Sequence, residues 1–379
     1  MRYKTTVIGS LFILATSLEA VTYEYFQLYK DPKTMGAGGA GVASANSFSA
    51  IFSNPAGLAR MPKEYGWEFQ LINVGVAINE NTKDLQDILD AADESETKAA
   101  EELDKHIGDS YHVGISAVPL SVSKMFDETG FGAGLVSSVS INAVAHQGFG
   151  ASGILEINGI AVGGAALGIA HNFNDVAAGK WLLNTISVGA GVKYLQYGVI
   201  SHGYSPADLS EYSSEDKDVL SEDLEDGRSL VFDLGIIYDL SSNFSIGASV
   251  LNIGGIGDKN LIYIPMTVNV GGAYTYRVSE RTFFNQVRAS LDFIDLTQEY
   301  DDDSLIKRTR FGADLNVWDG SFSTFALQAG LYQGEFTGGV SLRLALVELA
   351  ASTYAEQIGA YSGQDEADRR YMVNVGFSW

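Results

Sequence analysis

The chain has 379 residues, with 24 Lys and Arg against 47 Asp and Glu and a net charge of −23. So acidic a chain lacks the basic stripe that displaces counterions from phosphates, and no nucleic-acid partner is expected. The absence of cysteine excludes disulfides, thiolate metal sites and thiol nucleophiles, and 46% hydrophobic against 19% charged residues is too apolar for a disordered chain.

Residues 1–20 read as a secretory signal: Arg2 and Lys4 precede the apolar stretch from Val7 to Leu14, and Leu18-Glu19-Ala20 offers a cleavage site. The mature chain is predicted to start near Val21, outside the cytoplasm. No later stretch has the roughly 18 consecutive apolar residues of a spanning helix, so a membrane location requires a barrel.

Two motifs follow, Met35-Gly-Ala-Gly-Gly-Ala-Gly-Val-Ala-Ser44 and Ser49-Ala-Ile-Phe-Ser-Asn-Pro-Ala-Gly-Leu-Ala59. Gly36, Gly38 and Gly41 match G-x-G-x-x-G formally. A dinucleotide site needs a strand before them and a crossover helix after, and here a signal segment comes before. The glycines are read instead as a compact coil with positive φ and close backbone packing. Phe48, Ile51, Phe52 and Leu58 are predicted to pack together, with Asn54 and Pro55 forming a turn beside Gly57. Residues 21–67 are assigned to a plug.

The insert at 80–110 carries eleven acids and three lysines. Leu85, Ile88, Leu89, Ala92, Ala99, Leu103 and Ile107 recur at helical spacing, predicting a helical insert over about 82–107. It either lids a ligand groove or packs as a cap on neighbouring loops, and the cap is preferred because a single apolar stripe must bury itself.

Fourteen strands are predicted, at 68–79, 111–123, 131–147, 154–173, 183–204, 229–239, 244–252, 266–276, 286–295, 306–317, 325–332, 338–344, 347–355 and 371–379. Most alternate with period two. Leu230, Phe232, Leu234, Ile236 and Tyr238 oppose Asp233, Gly235 and Asp239, for example. One face is apolar and aromatic; the other is small, polar or charged. A soluble antiparallel sheet shows a similar alternation, but Gly, Ser and Asn suit a crowded lumen better than a solvated surface. The pattern directs Lys193, Asp233, Arg288, Asp292, Asp314 and Arg343 into the lumen, where ion pairs with the wall or plug are expected. With strand one rising from the periplasm, the long acidic connections, including 80–110, 205–228 and 356–370, fall outside and the shorter ones inside. The fold class is therefore all-β: an antiparallel transmembrane β-barrel over 68–379, with a lumenal plug and a helical extracellular insert. Phe377 and Trp379 close the chain as an aromatic signal for the barrel-assembly machinery.

The five histidines, at 106, 112, 146, 171 and 202, lack ligand spacing, so no metal, cofactor or catalytic centre is expected. The acids of 208–226 and Asp301, Asp302 and Asp303 read as solvated loops, with cation binding as the alternative.

The glycine-rich segment, Asn54-Pro-Ala-Gly-Leu58 and the aromatic C-terminus resemble the FadL-type outer-membrane superfamily of fatty acid and hydrocarbon transporters and PorV-like components. The wording at 35–43, the acidic insert and Tyr354 to Gly363 followed by Arg369-Arg370-Tyr371 look closest to the conjugal-transfer TraF-like sub-branch. The resemblance implies a bacterial outer-membrane location among lipid and lipopolysaccharide, a hatch in the lumen and sideways exit of hydrophobic substrates. A channel for fatty acids or hydrocarbons is the expected function. The alternative is an interaction barrel of an envelope secretion or conjugation apparatus.

Overall fold

The computed structural model describes residues 24–379 apart from 63–65, 148–152, 175–184, 215–224, 259–261, 279–283, 301–303, 321 and 359–365. The predicted signal segment, Asp301 to Asp303 and much of the acidic loop at 208–226 lie outside the described residues.

Fourteen antiparallel strands close into one barrel. They are β1 (Trp67–Asn79), β2 (Ser110–Phe126), β3 (Thr129–Gln147), β4 (Gly153–Phe173), β5 (Thr185–Tyr204), β6 (Glu225–Asp239) and β7 (Phe244–Ile253), then β10 (Thr267–Arg277), β11 (Gln286–Phe293), β12 (Thr309–Asp319), β13 (Ser323–Tyr332), β14 (Glu335–Leu344), β15 (Val347–Ile358) and β16 (Glu366–Ser378). Between β7 and β10 a small hairpin, β8 (Ile256–Gly257) and β9 (Tyr263–Ile264), pairs with itself. Pairing of β1 with β16 leaves no sheet edge, as lipid requires, because an unpaired backbone group has no water to bond there.

The two-residue period has the predicted register. Leu234 and Val373 are 52% and 59% exposed on the outer face, whereas Lys193, Asp233 and Asp292 are buried inside. Several connections are shorter than predicted, and strand pairing shows why for two of them. The one expected at 124–130 shrinks to 127–128, because the flanking residues pair from Lys124↔Phe131 to Phe126↔Thr129. The one expected at 356–370 shrinks because β15 and β16 stay paired up to Ile358↔Glu366. Glycines do not break the segment at 154–173, which forms one 21-residue strand.

The wall is uneven. β3, β4 and β5 have 19, 21 and 20 residues, whereas β11 has 8. A tilted strand spans the bilayer with about 9–11 residues, so the long strands project beyond it. Helices Leu85–Glu94 and Glu96–Lys105 pack on this projection together with helix Pro206–Ser214. Ile88, Ala92, Ala99 and Leu103 are buried against Tyr111, Leu155, Tyr204 and Leu209. Leu89 and Ile107, predicted on the same stripe, are exposed. The insert thus buries its apolar stripe on the strand tops as a cap.

Candidate lumenal binding site

Segment 24–62 runs inside the barrel. Its first helix, Pro32–Gly36, starts where the Asp31 carboxylate accepts the Thr34 N–H at 3.0 Å. Two 3-10 turns follow, Phe48–Phe52 and Pro55–Arg60. Asn54 caps the second turn: its Oδ1 accepts the Ala56 N–H at 3.1 Å, a bond that leaves its amide free to point outward. Asn54 Nδ2 donates to the Val42 carbonyl at 2.8 Å and to the Ile236 and Ala248 carbonyls, each at 3.2 Å. One side chain therefore ties the segment to itself and to β6 and β7.

Such close approach requires a bare wall. A Cβ on Gly235 would overlap Asn54 Oδ1, and one on Gly189 would overlap Pro55. Inward glycines are where the wall meets the backbone of the segment, which gives part of the glycine excess a physical cause. The motif glycines divide by role. Gly38 has φ +68°; Gly36 ends the helix with its Cβ position 2.9 Å from Gly339 Cα; Gly57 abuts the Ala45 carbonyl. Gly41 has neither constraint, since its nearest contact would be Ser53 Cβ at 3.5 Å. The expected positive φ thus applies to Gly38 alone among Gly36, Gly38 and Gly41. Phe48, Ile51 and Leu58 share one buried cluster with Val136 and Ala166, and Phe52 packs against its rim.

Five of the six predicted lumen charges are bonded. Lys193 Nζ lies 2.9 Å from the Asp233 carboxylate and donates to Asn252 Oδ1 at 3.3 Å. Asp292 Oδ2 accepts the Gly41 and Val42 N–H groups at 2.6 and 2.8 Å. Arg288 donates to the Ser44 carbonyl at 3.3 Å, and Asp314 accepts from Gln328 at 3.2 Å. Arg343 borders a polar space of about 400 Å³ with Arg288 and Asp314. Phe377 and Trp379 face outward, with Trp379 stacked on Phe69 at 5.7 Å.

A second charge cluster escaped the sequence reading. Arg370 lies 2.8 Å from Glu24 and 2.7 Å from Asp368, and Lys30 bridges Glu24 and Glu356 at 3.0 and 2.9 Å. Burial opposes the Glu24 anion, yet Arg370 and Lys30 together bring its carboxyl well below the usual range.

Between residues 25–35, the turn at 39–53 and strands β5, β7, β10 and β11 lies a cavity of about 130 Å³. Phe26, Leu28, Tyr29, Phe52, Leu251 and Ile294 supply its apolar lining; Lys193, Asn252, Thr267, Asn269 and Asp292 supply polar groups. The Tyr29 and Phe52 ring centroids are 5.0 Å apart, a tilted pair. The arrangement can enclose a small apolar body and hydrogen-bond one end of it. A larger hollow of about 710 Å³ lies on the outer wall among Ile236, Ile246, Val270 and Leu291. Those side chains belong to the lipid-facing set, so acyl chains fill that hollow in a bilayer.

No protein-family model matches the sequence, and no curated protein matches it. Two solved structures align over nearly the whole chain. The toluene transporter TbuX of Ralstonia pickettii gives a TM-score of 0.52 at 13% identity, over 96% of this chain and 99% of its own. The toluene transporter TodX of Pseudomonas putida gives 0.51 at 13% identity, over 94% and 98%. These likenesses are likenesses of fold, and neither bears on the TraF-like sub-branch. The chain has the fold of the FadL-type outer-membrane barrels, fourteen antiparallel strands closed around an N-terminal lumenal segment.

Proposed function

We propose that this protein is an outer-membrane channel for small hydrophobic molecules of about one ring in size, held on their way through in the lumenal cavity. The cavity volume of about 130 Å³ carries the reading. An apolar cavity of about 150 Å³ accommodates benzene, whereas drug-sized ligands take about 300–1,000 Å³. Long-chain fatty acids are too large for it. The toluene transporters that share the fold point to the same size class. The lumenal segment then acts as a hatch, and lipid, lipopolysaccharide and the barrel-assembly machinery are the partners the reading requires.

Phe52 packs against Tyr29 in the cavity wall. Phe52→Ala is expected to weaken binding of toluene-sized aromatics about ten-fold, read by calorimetric titration of protein in detergent micelles. Oleate should not compete. An absence of aromatic binding, with unchanged aromatic uptake by cells lacking the protein, would refute the channel. A stable stoichiometric partner found by cross-linking, alongside that unchanged uptake, would instead favour an envelope-machine anchor.

A further inference from the structure

A cavity built for a hydrocarbon alone has no use for unsatisfied hydrogen-bonding groups, because each buried one is costly. This cavity has one. The Lys193 ammonium lies 2.9 Å from both Asp233 oxygens and donates to Asn252 Oδ1, so its three N–H donors have acceptors. Asp292 is 1% exposed; its Oδ2 accepts two backbone N–H groups, while its Oδ1 has no hydrogen-bond partner among the described residues. Asp292 borders the cavity. It therefore offers an acceptor beside an aromatic and aliphatic lining.

We propose that the ligand of this cavity is a neutral one-ring aromatic carrying a hydroxyl group, a phenol or benzyl alcohol. The inference rests on the channel reading above and narrows its substrate class. A hydroxyl can donate to Asp292 Oδ1. A hydrocarbon cannot. An aromatic carboxylate brings a negative charge towards Asp292, and Lys193 is already neutralised by Asp233 at 2.9 Å.

Three para-substituted toluenes separate the cases: p-cresol, p-xylene and p-toluate, titrated calorimetrically into the full chain in detergent micelles at pH 7. The structure predicts p-cresol about ten-fold tighter than p-xylene, with p-toluate the weakest. In Asp292→Leu, which removes the acceptor, the advantage of p-cresol over p-xylene should fall to about two-fold. Asp292→Asn offers a second readout if that variant fails to fold. Asparagine can still accept from Gly41 and Val42, and p-toluate should bind several-fold tighter than it does to the parent. Binding of p-xylene equal to or tighter than that of p-cresol overturns the inference and leaves the channel reading standing. An advantage for p-cresol that survives in folded Asp292→Leu also overturns it. If none of the three binds, the channel reading itself fails.

Discussion

Arg370→Met is expected to lower the stability of the folded barrel by about 3–5 kcal/mol, the usual result of stranding a buried charge. Its guanidinium is fully buried and bonds Glu24 through both terminal nitrogens, at 2.8 and 3.3 Å, and Asp368 through Nε at 2.7 Å. Methionine fills the space but leaves Glu24 with Lys30 as its bonded cation and Asp368 without its cation. Arg370→Lys should recover only part of the loss, because an ammonium cannot reproduce a three-point fork. The measurement is the denaturant midpoint in micelles. The Glu24 carboxyl is depressed below its usual range, so the stability it contributes is present above the unfolded carboxylate range and is lost progressively below it, as pH falls through the depressed folded value. The midpoint of the parent should therefore drop on acidification towards pH 3, and that of Arg370→Met should drop less. Equal midpoints at neutral pH would show that the cluster contributes nothing.

Gly235→Val is expected to open the lumen. The strand itself tolerates valine, since β-branched residues suit a sheet. The new Cβ, however, would occupy the place of Asn54 Oδ1 and press on Pro55 Cδ at 2.9 Å. Overpacking of this kind typically costs about 1–3 kcal/mol, and here the softest response is for the turn at Asn54 to leave its seat. Single-channel conductance should rise, and protease should cut within 35–59. Gly272→Val is the control: Gly272 belongs to the outward set of β10, and its nearest new contact is Phe244 at 3.8 Å. Conductance in Gly235→Val that matches the parent would rule out the segment as a lumen block.

The strand pattern was legible because lipid on one side and a packed lumen on the other enforce a period of two along nearly every strand. The upper parts of β15 and β16 were not. Glu356, Asp368 and Arg370 look like a solvated loop until their mutual bonds are seen. Strand parity puts 253–265 among the outer connections but does not show its path. Ile256, Ile262 and Ile264 are buried with Leu195 and Val231, so this connection folds inward. The motif glycines were visible, but a sequence does not show what a glycine faces. The cavity was hidden for a related reason. Phe26 and Leu28 sit just before the first motif, far in sequence from Leu251 and Ile294, and no spacing rule joins them.

Where the wall meets the lumenal segment backbone to backbone, neither surface has a side chain to trim. Gly130 abuts the Leu58 carbonyl, Gly189 abuts Pro55 and Gly312 abuts the Ala37 carbonyl. A mismatch there cannot be repaired by one substitution, so the segment and its barrel can change only together. The barrel is in this sense a mould for a single chain path. A hatch transplanted from another barrel of the same strand count should fail to seat, and adding the native segment 24–62 as a separate peptide should restore heat resistance to a barrel lacking it. A foreign hatch that restored resistance equally well would show the mould to be permissive.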